Sequence, residues 1–95
     1  MKLALTPRAG QDIDEIFDFT AGTWGIEQAE AYIRGLQASL EQLTRFPGLG
    51  RPIDDIRAGM RLMNAGSHIV IYRIGNDTIE VMRILHKRMD IDRHL

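Results

Sequence analysis

The stretch that most limits what this chain can fold into runs from His68 to His86. Two segments rich in β-branched and aromatic residues, Ile69 to Ile74 and Thr78 to Leu85, flank Gly75, Asn76 and Asp77. Those three residue types tolerate positive φ and suit a tight reversal, so the pattern predicts a β-hairpin. A hairpin alone has nowhere to bury its apolar side chains and is marginal in water. The rest of the chain must therefore supply more strands and a cover.

How much cover is available depends on size. The chain has 95 residues, which predicts one domain over 1–95 with a single modest core. With 44% apolar and 26% charged residues, it reads as a soluble globular fold, too apolar for disorder. There is no cysteine, which excludes a disulfide framework and a thiolate metal site and agrees with a reducing, cytoplasmic setting. No apolar run reaches the length of a membrane span, and the one at Met1 to Pro7 is too short for a signal peptide, so no membrane association is expected.

The cover is legible ahead of the hairpin. Lys2 to Leu5 predicts an opening strand. Thr6 as N-cap and Pro7 at the first helical position start a helix. Ala9, Ile13, Ile16, Phe17, Thr20 and Trp24 fall on one face of it, with Gln11, Asp12, Asp14, Glu15 and Asp18 mostly on the other. On this reading Asp12 is an acid favoured by the helix dipole, and Trp24 is a core anchor between helices. Gly25 is the predicted C-terminal cap. A second helix is predicted from Ile26 to Phe46, burying Ala29, Tyr32, Ile33, Leu36, Leu40 and Leu43, with Gly35 permitting a close helix crossing. Phe46 to Pro52 is turn-rich, Ile56 to Met63 suits a strand, and Ala65 to Ser67 turns into the hairpin. The charged tail from Lys87 to Leu95 is given little structure. The order is β-α-α-β-β-β. This predicts an α+β fold in which an antiparallel helical hairpin packs on a small, mostly antiparallel sheet.

Read together, these pieces resemble a known family. Pro7, Arg8 and Ala9 with Asp12, Ile13 and Ile16 come first; Trp24, Gly25 and Ala29 come next. Then come Phe46 to Gly50, Arg57 and Arg61, His68 to Tyr72, and Ile84 to Asp90. In this order the set resembles a ParE toxin of the RelE/ParE superfamily, the toxic halves of bacterial toxin–antitoxin pairs. The resemblance implies a small cytoplasmic toxin held inactive by a ParD-like antitoxin, which dimerises, binds DNA and wraps the toxin with a flexible segment. Members most like ParE act on DNA gyrase; members most like RelE cut mRNA on the ribosome.

Chemistry weighs the two. Cleavage through a 2′-hydroxyl needs a base, an acid and cations for the phosphorane charge. The candidates are Arg61, Arg83, His86 and Arg88, of which the first three match approximately the positions where RelE-type nucleases carry arginines and a histidine. After Tyr72 there is no Tyr, Phe or Trp, so the tail has no stacking platform for a base. Net charge is −1, so direct DNA binding by this chain alone is not expected. The charge is uneven: residues 1–50 hold four basic against seven acidic residues, and residues 51–95 hold eight against six.

The favoured expectation is thus a binding toxin with no catalytic residues. Arg83, His86, Lys87 and Arg88 contribute to the target contact because basic residues cluster there. The alternatives are the ribosome-dependent nuclease and a non-toxic partner that serves as co-repressor. The plain reading of Arg83 is an ion pair with Glu80 or an acid on the first helix, and that of His86 a hydrogen-bonded strand-end histidine. The antitoxin contacts cannot be read from sequence, although five Met and many Ile and Leu leave apolar surface for a partner. No metal-ligand spacing or phosphate loop is present, and no cofactor is expected.

Overall fold

The computed structural model describes residues 1–95. The predicted hairpin is there: β4 (His68–Ile74) and β5 (Thr78–His86) pair antiparallel. They are the centre of a five-stranded sheet in the order β1-β5-β4-β3-β2, with β1 at Lys2–Leu5, β2 at Arg51–Pro52 and β3 at Arg61–Ala65. β1 runs parallel to β5 and the other pairs are antiparallel. The α+β architecture expected from the sequence is the one observed.

Helices α1 (Pro7–Trp24) and α2 (Ile26–Arg45) lie on one face of the sheet. Thr6 caps α1, its Oγ1 accepting from the Ala9 N–H at 3.1 Å. Gly25 takes φ +98° between the two helices, a conformation that L side chains rarely adopt. Ala9 and Ile16 of α1 and Leu36, Leu40 and Leu43 of α2 pack against Val70, Tyr72, Ile79, Val81 and Ile84. Each buried Ile, Leu or Val contributes about 1.5–3 kcal/mol by leaving water.

The opposite face is covered as well. Ile69, Ile71 and Leu85 form a second cluster with Ile53 and Leu62, joined by Ile56, Met60, Ile91 and Leu95. The tail therefore folds: α3 (Ile91–His94), capped by Asp90, lays Ile91 on this second cluster, and Leu95 follows it there.

Several local expectations are corrected. The strand expected over Ile56 to Met63 begins only at Arg61. Residues 53–60 form a folded loop in which the Ile53 N–H donates to the Met60 carbonyl and the Gly59 N–H to Asp54 Oδ1, with Gly59 at φ +78°. Turn chemistry at Asp54 and Gly59 outweighs the strand-like pattern there. At the tip of the β4–β5 hairpin neither Gly75, Asn76 nor Asp77 takes positive φ; the Gly75 N–H donates to the Thr78 carbonyl. The positive φ falls instead at Gly66 (+60°) in the β3–β4 turn. Gly35 faces open space, so no close helix crossing depends on it. Trp24 is 71% exposed and is no core anchor, because α1 ends at the rim of the sheet.

The loop after α2 is fixed from the core. The buried Tyr72 hydroxyl donates to the Pro47 carbonyl at 2.7 Å and accepts from the Gly50 N–H at 2.8 Å. A Cβ on Gly50 would stand 2.7 Å from that ring, so glycine is required at this close approach.

Candidate binding groove

β1 stops at Leu5, and beyond it the outer edge of β5 has no strand partner. The start of α1 takes over. The Thr6 N–H donates to the Val81 carbonyl at 3.0 Å, and Thr6 Oγ1 donates to the Met82 carbonyl at 2.8 Å. Asp12, a turn and a half into α1, accepts from the Ile84 N–H through Oδ2 at 2.9 Å. Arg83 donates to both oxygens of the same carboxylate, Nε to Oδ2 at 2.8 Å and Nη2 to Oδ1 at 3.1 Å. Asp12 is only 4% exposed, so its charge is neutralised and hydrogen-bonded in place. It is not the solvent-facing helix acid of the sequence reading. Of the two plain readings of Arg83, the ion pair with the first helix is the one formed. Glu80 pairs with Arg73 instead.

A bulge in β5 fixes the register of the strand end. Tyr72 pairs with Val81 but Ile71 with Arg83, leaving Met82 without a partner across the ladder. The shift brings His68 opposite His86, their ring centroids 5.4 Å apart and nearly perpendicular. Tyr32 of α2 stands over His68, with Oη 2.5 Å from Nδ1, and accepts from the Ser67 N–H at 3.0 Å. A Cβ on Gly66 would meet that hydroxyl at 2.9 Å. On the other ring, His86 Nδ1 accepts from the Arg88 N–H at 3.1 Å. A nitrogen that accepts a backbone N–H carries no proton, so this bond uses the form of His86 with Nδ1 bare. Burial holds the His68 pKa below the usual imidazole value, and the neighbouring His86 lowers it further; Asp12 acts the other way.

These residues floor a groove of about 750 Å³ between α1, the start of α2 and the end of β5. Phe19 and Trp24 rise from its helical rim at 72% and 71% exposure. Ile16, Ile84 and Met89 line it too. Its principal charges are already matched: Asp12 with Arg83, Arg8 with Glu15, and the remaining Arg83 Nη1 with the His94 carbonyl at 2.9 Å. What the groove leaves open is apolar, which suits an apolar segment of another macromolecule better than a small ion. No group of three or more His, Asp or Glu side chains is placed to hold a metal.

Arg83 and His86 both border the groove, while Lys87 and Arg88 are exposed on the turn beyond β5. Arg61 is elsewhere. It lies on β3, across β4 from β5, with Nε donating to the Gly50 carbonyl at 2.9 Å. The candidate nuclease residues are thus not brought together. Sequence reasoning assigns no role to His68, Phe19 or His94, all of which line the groove. The cross-strand histidine pair is open to discovery only through the bulge. Phe19 lies off the apolar stripe of α1, and that is its one available signal.

Comparison with known proteins places this geometry. A family model described as ParE toxin of type II toxin-antitoxin system, parDE, matches residues 3–91. Toxin ParE1 of Mycobacterium tuberculosis is 47% identical over 92 residues, covering 96% of this chain and 94% of the relative. Toxin ParE1 of Caulobacter vibrioides is 43% identical over 91 residues, with the same coverage. Among solved structures, a chain of the chromosomal ParDE TA system from P. aeruginosa superposes with a TM-score of 0.80 at 24% identity, covering 90% of this chain and 95% of the other. The YoeB/ParE toxin from Agrobacterium tumefaciens gives 0.64 at 22% identity, covering 90% and 98%. Those two likenesses concern the fold; the sequence relatives and the family match carry the assignment, and this chain belongs to the ParE toxin family of type II toxin–antitoxin systems.

Proposed function

We propose that this ParE-family chain is a cytoplasmic binding toxin, neutralised by a ParD-like antitoxin whose flexible segment lies in the groove, and that it inhibits DNA gyrase without cutting RNA. The observation that carries the antitoxin part is the pair Phe19 and Trp24, large rings raised at the mouth of an apolar groove whose charges are already paired. Surface of this kind marks a protein–protein contact, and an amphipathic segment would seat apolar side chains between the rings and Met89. No helix of the chain is long and apolar enough to cross a membrane, in keeping with the proposed compartment.

The gyrase part rests on family membership and on the exposed basic turn at Lys87 and Arg88. Arg83 is 13% exposed and bound to Asp12; in this reading it holds the strand end in place, with His86, while Lys87 and Arg88 touch the target. Separation of Arg61 from Arg83 and His86 favours binding over phosphodiester cleavage, since a cleavage site needs its cation and its acid or base within reach of one phosphate.

Two measurements test the proposal. The chain should co-purify with a small ribbon-helix-helix protein encoded by the adjoining reading frame. Purified alone, it should inhibit gyrase supercoiling and leave mRNA intact in translating ribosomes. New cuts within codons, with supercoiling unaffected, would turn the assignment to the nuclease.

A further inference from the structure

We propose that His86, packed edge-on against His68, is a proton-operated latch on the wall of the groove: its ring holds the turn from Lys87 to Met89 at the Arg88 amide, and lets that amide go when His86 takes up a proton. The turn is tied by the Lys87 N–H, which donates to the Ser67 carbonyl at 3.1 Å, and by two bonds to His86. The Arg88 N–H donates to the ring Nδ1, and the Met89 N–H donates to the His86 carbonyl at 2.9 Å. Protonation places a hydrogen on Nδ1, so that two donors face each other and the Arg88 bond is lost. Met89, next in the chain to the freed amide, lines the groove, so loosening at Arg88 reaches the groove wall.

Burial and then the neighbouring ring work against a proton on His68, with Asp12 opposing them. From α1, Arg8 and Glu15 are paired with each other, and Asp12, the buried carboxylate, is already bound by Arg83 and the Ile84 N–H. From α2, the Tyr32 hydroxyl is bonded to His68 and to the Ser67 N–H. β5 contributes cationic Arg83, and the tail contributes His94 on the groove and cationic Lys87 and Arg88 on the turn itself. A proton on His86 makes one on His68 harder to place. Beyond the turn the tail stays pinned, because Arg83 holds the His94 carbonyl and Arg57 holds the Leu95 carbonyl. Release is confined to the turn and leaves the fold intact.

One consequence concerns the partner and rests on the groove being the antitoxin site. Covering the two rings desolvates them further, so a bound segment favours their neutral forms and acid weakens its grip. The latch itself is measured without any partner. Amide exchange and imidazole resonances of the purified chain are tracked by NMR from about pH 8 to about pH 5, across the range in which histidine titrates. The expected result is that the Arg88 amide, corrected for intrinsic exchange, loses about five- to tenfold in protection as His86 titrates, the size expected for one hydrogen bond. Amides in β4 should keep theirs. In His86→Asn the side-chain Oδ1 stands where Nδ1 stood and does not titrate, so Arg88 should be protected at every pH. In His86→Phe it should be unprotected at every pH. Constant Arg88 protection in the parent chain, or the same acid transition in His86→Asn, overturns the latch whether or not the antitoxin reading holds.

Discussion

Arg83 grips Asp12 with two hydrogen bonds, at 2.8 and 3.1 Å, across 71 residues of sequence. The pair joins the start of α1 to the end of β5 at the point where β1 has ended and the strand edge would otherwise be bare. The same carboxylate accepts the Ile84 N–H, and the same guanidinium holds the tail through the His94 carbonyl. Floor, rim and far wall of the groove are thereby referred to a single buried charge.

Removing that charge should be costly. Asp12→Ala leaves Arg83 largely buried without its partner and the Ile84 N–H without an acceptor, and should destabilise the fold by about 3 kcal/mol. Replacing both residues by apolar ones of similar size should recover part of the loss. Urea unfolding of the two single variants and the double variant measures the coupling directly.

Tyr72 gives a second test, independent of the groove. Tyr72→Phe keeps the ring and removes the hydroxyl, stranding the Gly50 N–H and the Pro47 carbonyl. A loss of about 1–3 kcal/mol is expected from the unfolding midpoint. Gly50→Ala should also destabilise, because the added methyl meets the Tyr72 ring and the Leu62 carbonyl oxygen, 2.7 and 2.8 Å from where its carbon would sit.

The rim rings should separate stability from binding. Phe19→Ala and Trp24→Ala touch side chains that are mostly in water, so unfolding should change by no more than about 0.5 kcal/mol. Affinity for the antitoxin should fall by about 2 kcal/mol or more, as for a central aromatic anchor. Calorimetric titration with the neighbouring antitoxin measures this; unchanged affinity in both variants would remove the groove as its site.

The basic turn should separate the two partners. Lys87→Glu combined with Arg88→Glu should abolish growth arrest and gyrase inhibition while leaving antitoxin binding and the unfolding midpoint close to those of the parent. Toxicity that survives this double charge reversal would rule the turn out as the target contact.

Stability should depend on pH through His68. Its folded pKa is lowered below the unfolded value near 6.5, chiefly by burial. The unfolded chain therefore binds the proton first. Stability is fully present above the unfolded value and declines as pH falls from there toward the folded pKa, with a slope of at most about 1.4 kcal/mol per pH unit. His68→Asn should flatten that segment of the curve of unfolding free energy against pH.

Local pattern carries much of this protein. Thr6 and Pro7 announce the start of α1, Gly25 its end, and the apolar spacing from Ala29 to Leu43 the buried face of α2; each depends on residues within one or two turns of each other. The β-branched runs on either side of Gly75 to Asp77 likewise declare a hairpin, and these pieces fix the order of elements. A strand over Ile56 to Met63 is the wrong reading because its pattern also fits a loop closed by Asp54 and Gly59.

What the sequence could not supply is the register and the rim. Val81 and Ile84 both face the helices although they are three residues apart on one strand, which strict alternation forbids; the bulge at Met82 allows it and sets His68 opposite His86. Trp24 shares a helical stripe with Ile16 yet stands in water, because the sheet ends before the helix does. Asp12 looks like any acid on a solvated face until Arg83 reaches it from the far end of the chain. Periodicity reports which residues share a side of one element. Which element lies on that side, and how far it extends, is decided only when distant segments pack.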